Sequence, residues 1–377
     1  MVITFLPSES TDAGLTVWDF FIGEEQFTLN HPNYLIKTLA LTPDGTKLIS
    51  GSQDASLAIW DLRAWEENFS PKRREEQQLT FNRHSDWVSG IAISSDNTKA
   101  VSSSGDSTLK IWNLQTREEL FTLSGHEDMV SAVAVTPNGK CVISGSIDNT
   151  IKVWDFETGK ELSTFSSCDE SLHLFYRDHI LDLAVTPDGT RVISALDSGN
   201  IKVWNLEIGE ELFTLTGHSD LVNAVAITPD GTKVISGSSD KSIKIWNLET
   251  GEELFTLINH SDSVNAVAIT PDGTKVISGS SDKSIKIWDI ETGEELFSFT
   301  DRSVYTIAVT LDGKRVIVGS REGTLNVWDL ETREEIATFT GESWIHCCAV
   351  VSDGVTILAG ESSGQVHFLH LEGINKI

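Results

Sequence analysis

Apolar and polar residues along this chain alternate in short bursts, and each burst has the period of a strand. VNAVAIT (222–228) carries the alternation of a strand with one face buried. PDGT (229–232) follows it, and Asp230-Gly231 after Pro229 supplies the positive-φ position that a hairpin needs. KVISGS (233–238) and SIKIWNL (242–248) then read as two further strands, and ELFTL (211–215 and again 253–257) as the strand that joins one such group to the next. No burst has the length or the three-to-four spacing of an amphipathic helix, so an all-β chain built from four-stranded units is predicted.

The unit is copied. Residues 211–252 and 253–294 superpose without a gap and differ at five of 42 positions. Trp followed by Asp or Asn recurs at Trp18, Trp60, Trp112, Trp154, Trp204, Trp246, Trp288 and Trp328, at spacings of 42, 52, 42, 50, 42, 42 and 40 residues. A four-stranded unit of that size cannot bury both its faces alone, so the units must stack. GHSD (217–220), SGSSD (236–240) and IWNL (245–248), in this order and spacing, resemble the WD-repeat β-propeller family over nearly the whole chain, in particular the tandem arrays of bacteria. The resemblance implies one domain over residues 1–377, a single propeller of four-stranded antiparallel blades. Eight blades closed by strands from both termini are expected, with nine or seven as the alternatives. EEQFTL (24–29) would pair beside the last C-terminal blade, which leaves either LTVWDF (15–20) or QVHFLHL (365–371) outside the closed sheet.

In that family a His, a strand Ser, a turn Asp and the Trp form a hydrogen-bonded set inside each blade. Four units here carry all members: His84, Ser102, Asp106 and Trp112; His126, Ser144, Asp148 and Trp154; His218, Ser236, Asp240 and Trp246; His260, Ser278, Asp282 and Trp288. Buried together, such groups must satisfy one another or cost about 1–3 kcal/mol each. Other units depart from the pattern. Pro32 stands at a His position, Tyr176 and Ser198 at His and Asp positions, Val318 and Glu322 at Ser and Asp positions, and Leu369 at a Trp position, so those blades are expected to be less firmly tied. His, Ser and Asp are also the residue types of a nucleophilic triad, but a hydrolase needs one such set in one cleft, whereas here the spacing recurs with a Trp attached each time. A hydrolase is therefore the most distant reading, and no catalytic residue is assigned.

Charge narrows the partner. The formal net charge is −28, and much of it lies in ETGEE segments such as 249–253 and 291–295. An acidic field repels phosphate backbones, and Lys202, Lys244 and Lys286 are interspersed with carboxylates, so nucleic acid is not expected as a partner. The acidity is read first as keeping a repetitive β protein soluble. Cys141, Cys168, Cys347 and Cys348 show no paired spacing, and MVITFLPSES lacks the features of a secretory signal, so a reducing cytoplasm is expected. No apolar run is long enough for a membrane helix, and membrane association is not expected. His346, Cys347, Cys348, His367 and His370 cluster in sequence, but strand alternation divides them between faces, and neither a metal nor any other cofactor is expected.

The differences between copies point to a binding face. Three of the five, Thr216/Ile258, Gly217/Asn259 and Leu221/Ser263, fall in one loop. The column of Leu221 reads Leu35, Trp87, Met129, His179, Leu221, Ser263, Ser303 and Trp344, and is rich in large side chains. By the resemblance it lies near a face that propellers use for partners, and Leu35, Trp87, Met129, Tyr176, His179, Leu221, Tyr305 and Trp344 are the candidate contacts; packing against a neighbouring blade is the plainer role for any of them. Insertions near 62–80 and 166–176 interrupt the period. The first holds Lys72, Arg73 and Arg74; the second holds Leu172, Leu174, Phe175 and Tyr176, which either grip a partner or cover a blade that lacks its set. The expected function is a non-enzymatic platform for a protein or peptide, monomeric outside any larger assembly. The resemblance to bacterial arrays adds a sensor or scaffold role within a signalling or defence protein, and self-association through unpaired terminal strands is the alternative.

Overall fold

The computed structural model of the protein describes residues 15–19, 24–29, 36–44, 46–53, 55–61, 84–116, 118–167, 178–300, 302–341, 343–350, 356–361 and 366–370. Among them every regular element is a strand. The chain separates into two compact units, one within 1–102, 112–120 and 305–377, the other within 103–111 and 121–304.

Seven blades are each made from one continuous stretch. Those at 88–124, 130–166, 180–215, 222–257, 264–300 and 304–340 have four strands, and that at 36–61 has three among the described residues. The expectation of eight blades closed by strands from both termini is thereby corrected to seven. The chain ends do not complete one more four-stranded antiparallel blade. They form a composite sheet of five strands, in the order Glu24–Leu29, Leu15–Asp19, Val366–His370, Thr356–Glu361, Ile345–Val350. Leu15–Asp19 enters it in parallel to Val366–His370, with Val17 opposite Phe368, and carries Glu24–Leu29 on its other edge. Neither LTVWDF nor QVHFLHL is left outside, and EEQFTL does not pair with the C-terminal strands. Of the two insertions, 62–80 lies wholly outside the described residues, as does the second from 168 onward.

Within a blade the register is the one that alternation dictates. In 222–257, Val225 pairs with Ser236, Ile235 with Ile245 and Ile245 with Phe255. The second strand, Lys233–Ser238, is buried at every position after its first because other strands cover both of its faces. Packing runs from blade to blade: Ile193 and Val203 of one share a core with Val225, Val234 and Trp246 of the next. This is why no blade is stable alone.

The four-membered sets form as hydrogen-bonded groups. Trp246 Nε1 donates to Ser236 Oγ at 2.9 Å, Ser236 lies 2.8 Å from His218 Nε2, and His218 Nδ1 lies 2.8 Å from Asp240. Asp240 also accepts from the backbone N–H of Ser219 and from Ser242. His126 with Ser144, Asp148 and Trp154, and His260 with Ser278, Asp282 and Trp288, repeat the arrangement within 0.1 Å. In the remaining set Ser102 receives Trp112 Nε1 and meets His84 Nε2, both at 2.9 Å, while Asp106 accepts from Thr108. In the blade that lacks the His, Trp204 still donates to Ser194 at 3.0 Å and stacks on Phe165 of the preceding blade.

The turn between the second and third strands holds a left-handed residue. Asn149, Lys241 and Lys283 occupy it at φ of 67°, 75° and 70°, and Gly199 at 85°. At Gly199 an added Cβ would lie 2.9 Å from the His218 carbonyl and 3.0 Å from that of Asp220, and at Gly323, in the equivalent turn, 2.8 Å from the Ser343 carbonyl. Gly199→Ala is therefore expected to lower stability by about 1 kcal/mol, read from the urea midpoint.

Candidate interaction face

In several blades the residue just before the first strand is tied down through its own backbone. Its N–H is held by the preceding Asp side chain, as Trp87 by Asp86, Met129 by Asp128, Leu221 by Asp220 and Ser263 by Asp262, at 2.7–2.8 Å, or, at His179, by Asp197 at 3.0 Å. Its carbonyl accepts from the residue that follows the second strand. Ile147 donates to Met129, Asp197 to His179, Ser239 to Leu221 and Ser281 to Ser263, at 2.9–3.0 Å. Side chains in this column thus stand at one end of the first strands, beside the column that follows the second strands.

In the unit that contains 305–377, the guanidinium of Arg321 lies 5.5 Å from the Tyr305 ring centre and 5.9 Å from that of Trp344. Trp344 keeps 50% of its surface exposed and Tyr305 36%. Lys37 Nζ sits 4.5 Å above the ring of half-buried Trp87. In the other unit Leu221 is 38% exposed, Met129 is half-buried, and His179 Nδ1 pairs with Asp197 at 2.8 Å. Burial raises the Asp197 carboxyl against the pull of His179. Leu35 and Tyr176 lie outside the described residues.

Reading the sequence missed several residues of this face. Arg321 stands where the copied units have Ser239 and Ser281, and Lys37 where they have Asn223 and Asn265; a comparison of those columns would have singled out both. The asparagines themselves are ties between blades. Asn223 Nδ2 donates to the Val264 carbonyl at 2.9 Å, and Asn265 Nδ2 to that of Val304 at 2.7 Å.

The His–Ser–Asp sets have the bond order of a nucleophilic triad but not its access. Ser144, Ser236 and Ser278 are fully buried, and each hydroxyl oxygen also accepts the indole N–H. A nucleophile must meet its substrate, and these cannot. Among the described residues no three His, Cys, Asp or Glu side chains are grouped to hold a metal ion, and no helix is long and apolar enough to cross a membrane. Cys348 is half-buried near Thr306, and loss of water around its thiol pushes it up to about 12.

Two family models match the chain. One, described as the first β-propeller of IFT122, covers residues 179–377, and the other, the WD domain, G-beta repeat, covers 23–61, 75–113 and 117–155. No curated protein sequence matches. Among solved structures, the crystal structure of the computationally designed Ika8 protein is similar, with a TM-score of 0.75 and 27% sequence identity over 90% of this chain and 97% of that one.

Proposed function

We propose, since the chain belongs to the WD-repeat β-propeller family, that it is a non-catalytic, cytoplasmic platform binding a protein or peptide on the face that bears Trp87, Tyr305 and Trp344. The observation that carries this reading is the exposure of Trp344 and Tyr305, with the Arg321 guanidinium 5.5–5.9 Å from both ring centres. Large aromatic side chains presented on a rigid frame bury much area at small entropic cost, which is what an anchor residue requires. The frame also leaves little else for chemistry, because the repeated His and Ser groups are consumed inside the blades. Such a platform fits the sensor or scaffold part of a larger bacterial signalling or defence protein. The alternative, self-association through an unpaired terminal strand, would use Glu24–Leu29, which stands at the end of the sheet order, and not Leu15–Asp19, which is paired on both edges.

The test compares affinity capture from host lysate by the protein and by a Trp87→Asp/Trp344→Asp variant, once circular dichroism shows that both fold. A partner held by the first and lost by the second is the expected result. Equal capture by both baits would move the binding site away from this face.

A further inference from the structure

The protein carries 56 acidic and 28 basic residues, so a cation would ordinarily find a carboxylate close by. In the blades it does. Lys152 pairs with Glu161, Lys202 with Glu211, Lys244 with Glu253 and Lys286 with Glu295, at 2.7–3.1 Å. Arg321 and Lys37 differ. Each lies over aromatic rings, and among the described residues neither has a carboxylate within ion-pair distance or an acceptor for its N–H groups.

A guanidinium held at cation–π distance from two rings is attracted by them without spending its N–H donors, which remain able to take an in-plane acceptor. The edge matches a carboxylate in bidentate geometry. Lys37 complements it: burial pulls its ammonium below the ordinary lysine range, the mark of a charge that has lost water without gaining an anion. Both cations sit at the same end of strands in one compact unit. Strand Ile345–Val350 packs beside the 304–340 blade and beside Ile36–Leu41, which packs in turn beside Val88–Ile93. The strip thus runs from Tyr305 and Arg321 through Trp344 to Lys37 and Trp87.

We propose that this strip binds an acidic peptide segment, with Arg321 and Lys37 taking its carboxylates while its apolar side chains lie on Tyr305, Trp344 and Trp87. The inference rests on the platform reading above and adds the chemistry of the partner. Two sheet spacings of about 10 Å separate Arg321 from Lys37 and an extended chain rises about 3.3 Å per residue, so the two acidic positions are spaced by roughly six residues.

A displayed random peptide library, panned on the protein and on two variants, Arg321→Gln/Lys37→Gln and Trp87→Ala/Trp344→Ala, decides it. All three are first shown to fold by circular dichroism. Peptides enriched in Asp and Glu, bound about tenfold or more weaker by the Gln variant and weakened by salt, are the expected result. Peptides without acidic bias that ignore the Gln change but are lost on the Ala variant would overturn the inference and leave the platform standing. No enrichment, or peptides indifferent to all four substitutions, would remove the platform reading and the inference with it.

Discussion

Replacing Ser236 with alanine is expected to lower the unfolding free energy by about 3 kcal/mol, whereas the same change at Ser194 costs about 1 kcal/mol. Both serines are fully buried and both accept a tryptophan N–H, from Trp246 and Trp204 respectively. They differ in what else depends on them. Ser236 also satisfies His218 Nε2, so its loss strands an indole and an imidazole at once. Burial lowers the His218 pKa, with Asp240 opposing, so the ring is neutral at pH 7 and its Nδ1–H points to the carboxylate. Burial alone would raise the Asp240 carboxyl, but hydrogen bonds from Ser242, the Ser219 N–H and His218 outweigh it and bring it down to about 2. Both groups shift downward on folding, so the unfolded chain binds more protons than the folded one as the solution is acidified. Their stabilisation is therefore complete above the unfolded imidazole range and is lost as pH falls, the Asp240 share between about 4 and 2. Urea midpoints for the two variants, with hydrogen exchange across 222–257, read the difference. Equal losses at Ser194 and Ser236 would mean that the four-membered set adds nothing beyond its Trp–Ser bond.

Much of this architecture is legible because the chain repeats itself. Period-two bursts, Asp-Gly turns and the recurring Trp placed the strands of the 222–257 and 264–300 blades where they are found, and the same spacing picked out the members of their buried sets. The meeting of the chain ends is not legible in that way. A period counts strands, but the partner of a terminal strand is fixed by which edge it reaches, and Leu15–Asp19 reaches Val366–His370 in parallel, a pairing that no internal copy displays. The face was half legible. Trp344 stands out by size in a varied column, whereas Tyr305 and Lys37 share the column two places further on and Arg321 comes from the one after the second strands, and only the fold brings the two cations over the rings. What sets them apart is that neither is paired with a carboxylate among the described residues, and such a lack leaves no mark in a chain so rich in glutamate.

Asp182→Asn is expected to stabilise the protein at pH 7 by up to about 2 kcal/mol and to change it little below pH 4. At the register of Asp182 the neighbouring blades carry Ala132, Ala224 and Ala266, so a carboxylate replaces a methyl group there. It reaches across to the next blade, accepting the Val225 N–H at 2.9 Å, and also accepts the Leu183 N–H at 2.9 Å. Burial nevertheless dominates and pushes the carboxyl from its ordinary 3.8 up to about 6, against the pull of those two donors. The sign is opposite to that of Asp240. Between about pH 4 and 6 the folded chain holds the proton more tightly than the unfolded one, so the contribution of this group to stability is full below the unfolded value and declines as pH rises through the folded one. A shift of that size corresponds to roughly 3 kcal/mol, and the partial solvent contact of the side chain reduces the expected gain to about 2. Asparagine has no charge to desolvate and keeps one oxygen for the Val225 N–H, while the Leu183 N–H loses its acceptor, which sets the gain below the full cost of the buried charge. Urea unfolding of both proteins from pH 4 to 8 isolates the effect, because the other carboxylates titrate identically in each and cancel in the difference. A variant that is no more stable than the parent at pH 7, or a gain that does not shrink on acidification, would show that Asp182 stays ionised at little cost in its place between the blades.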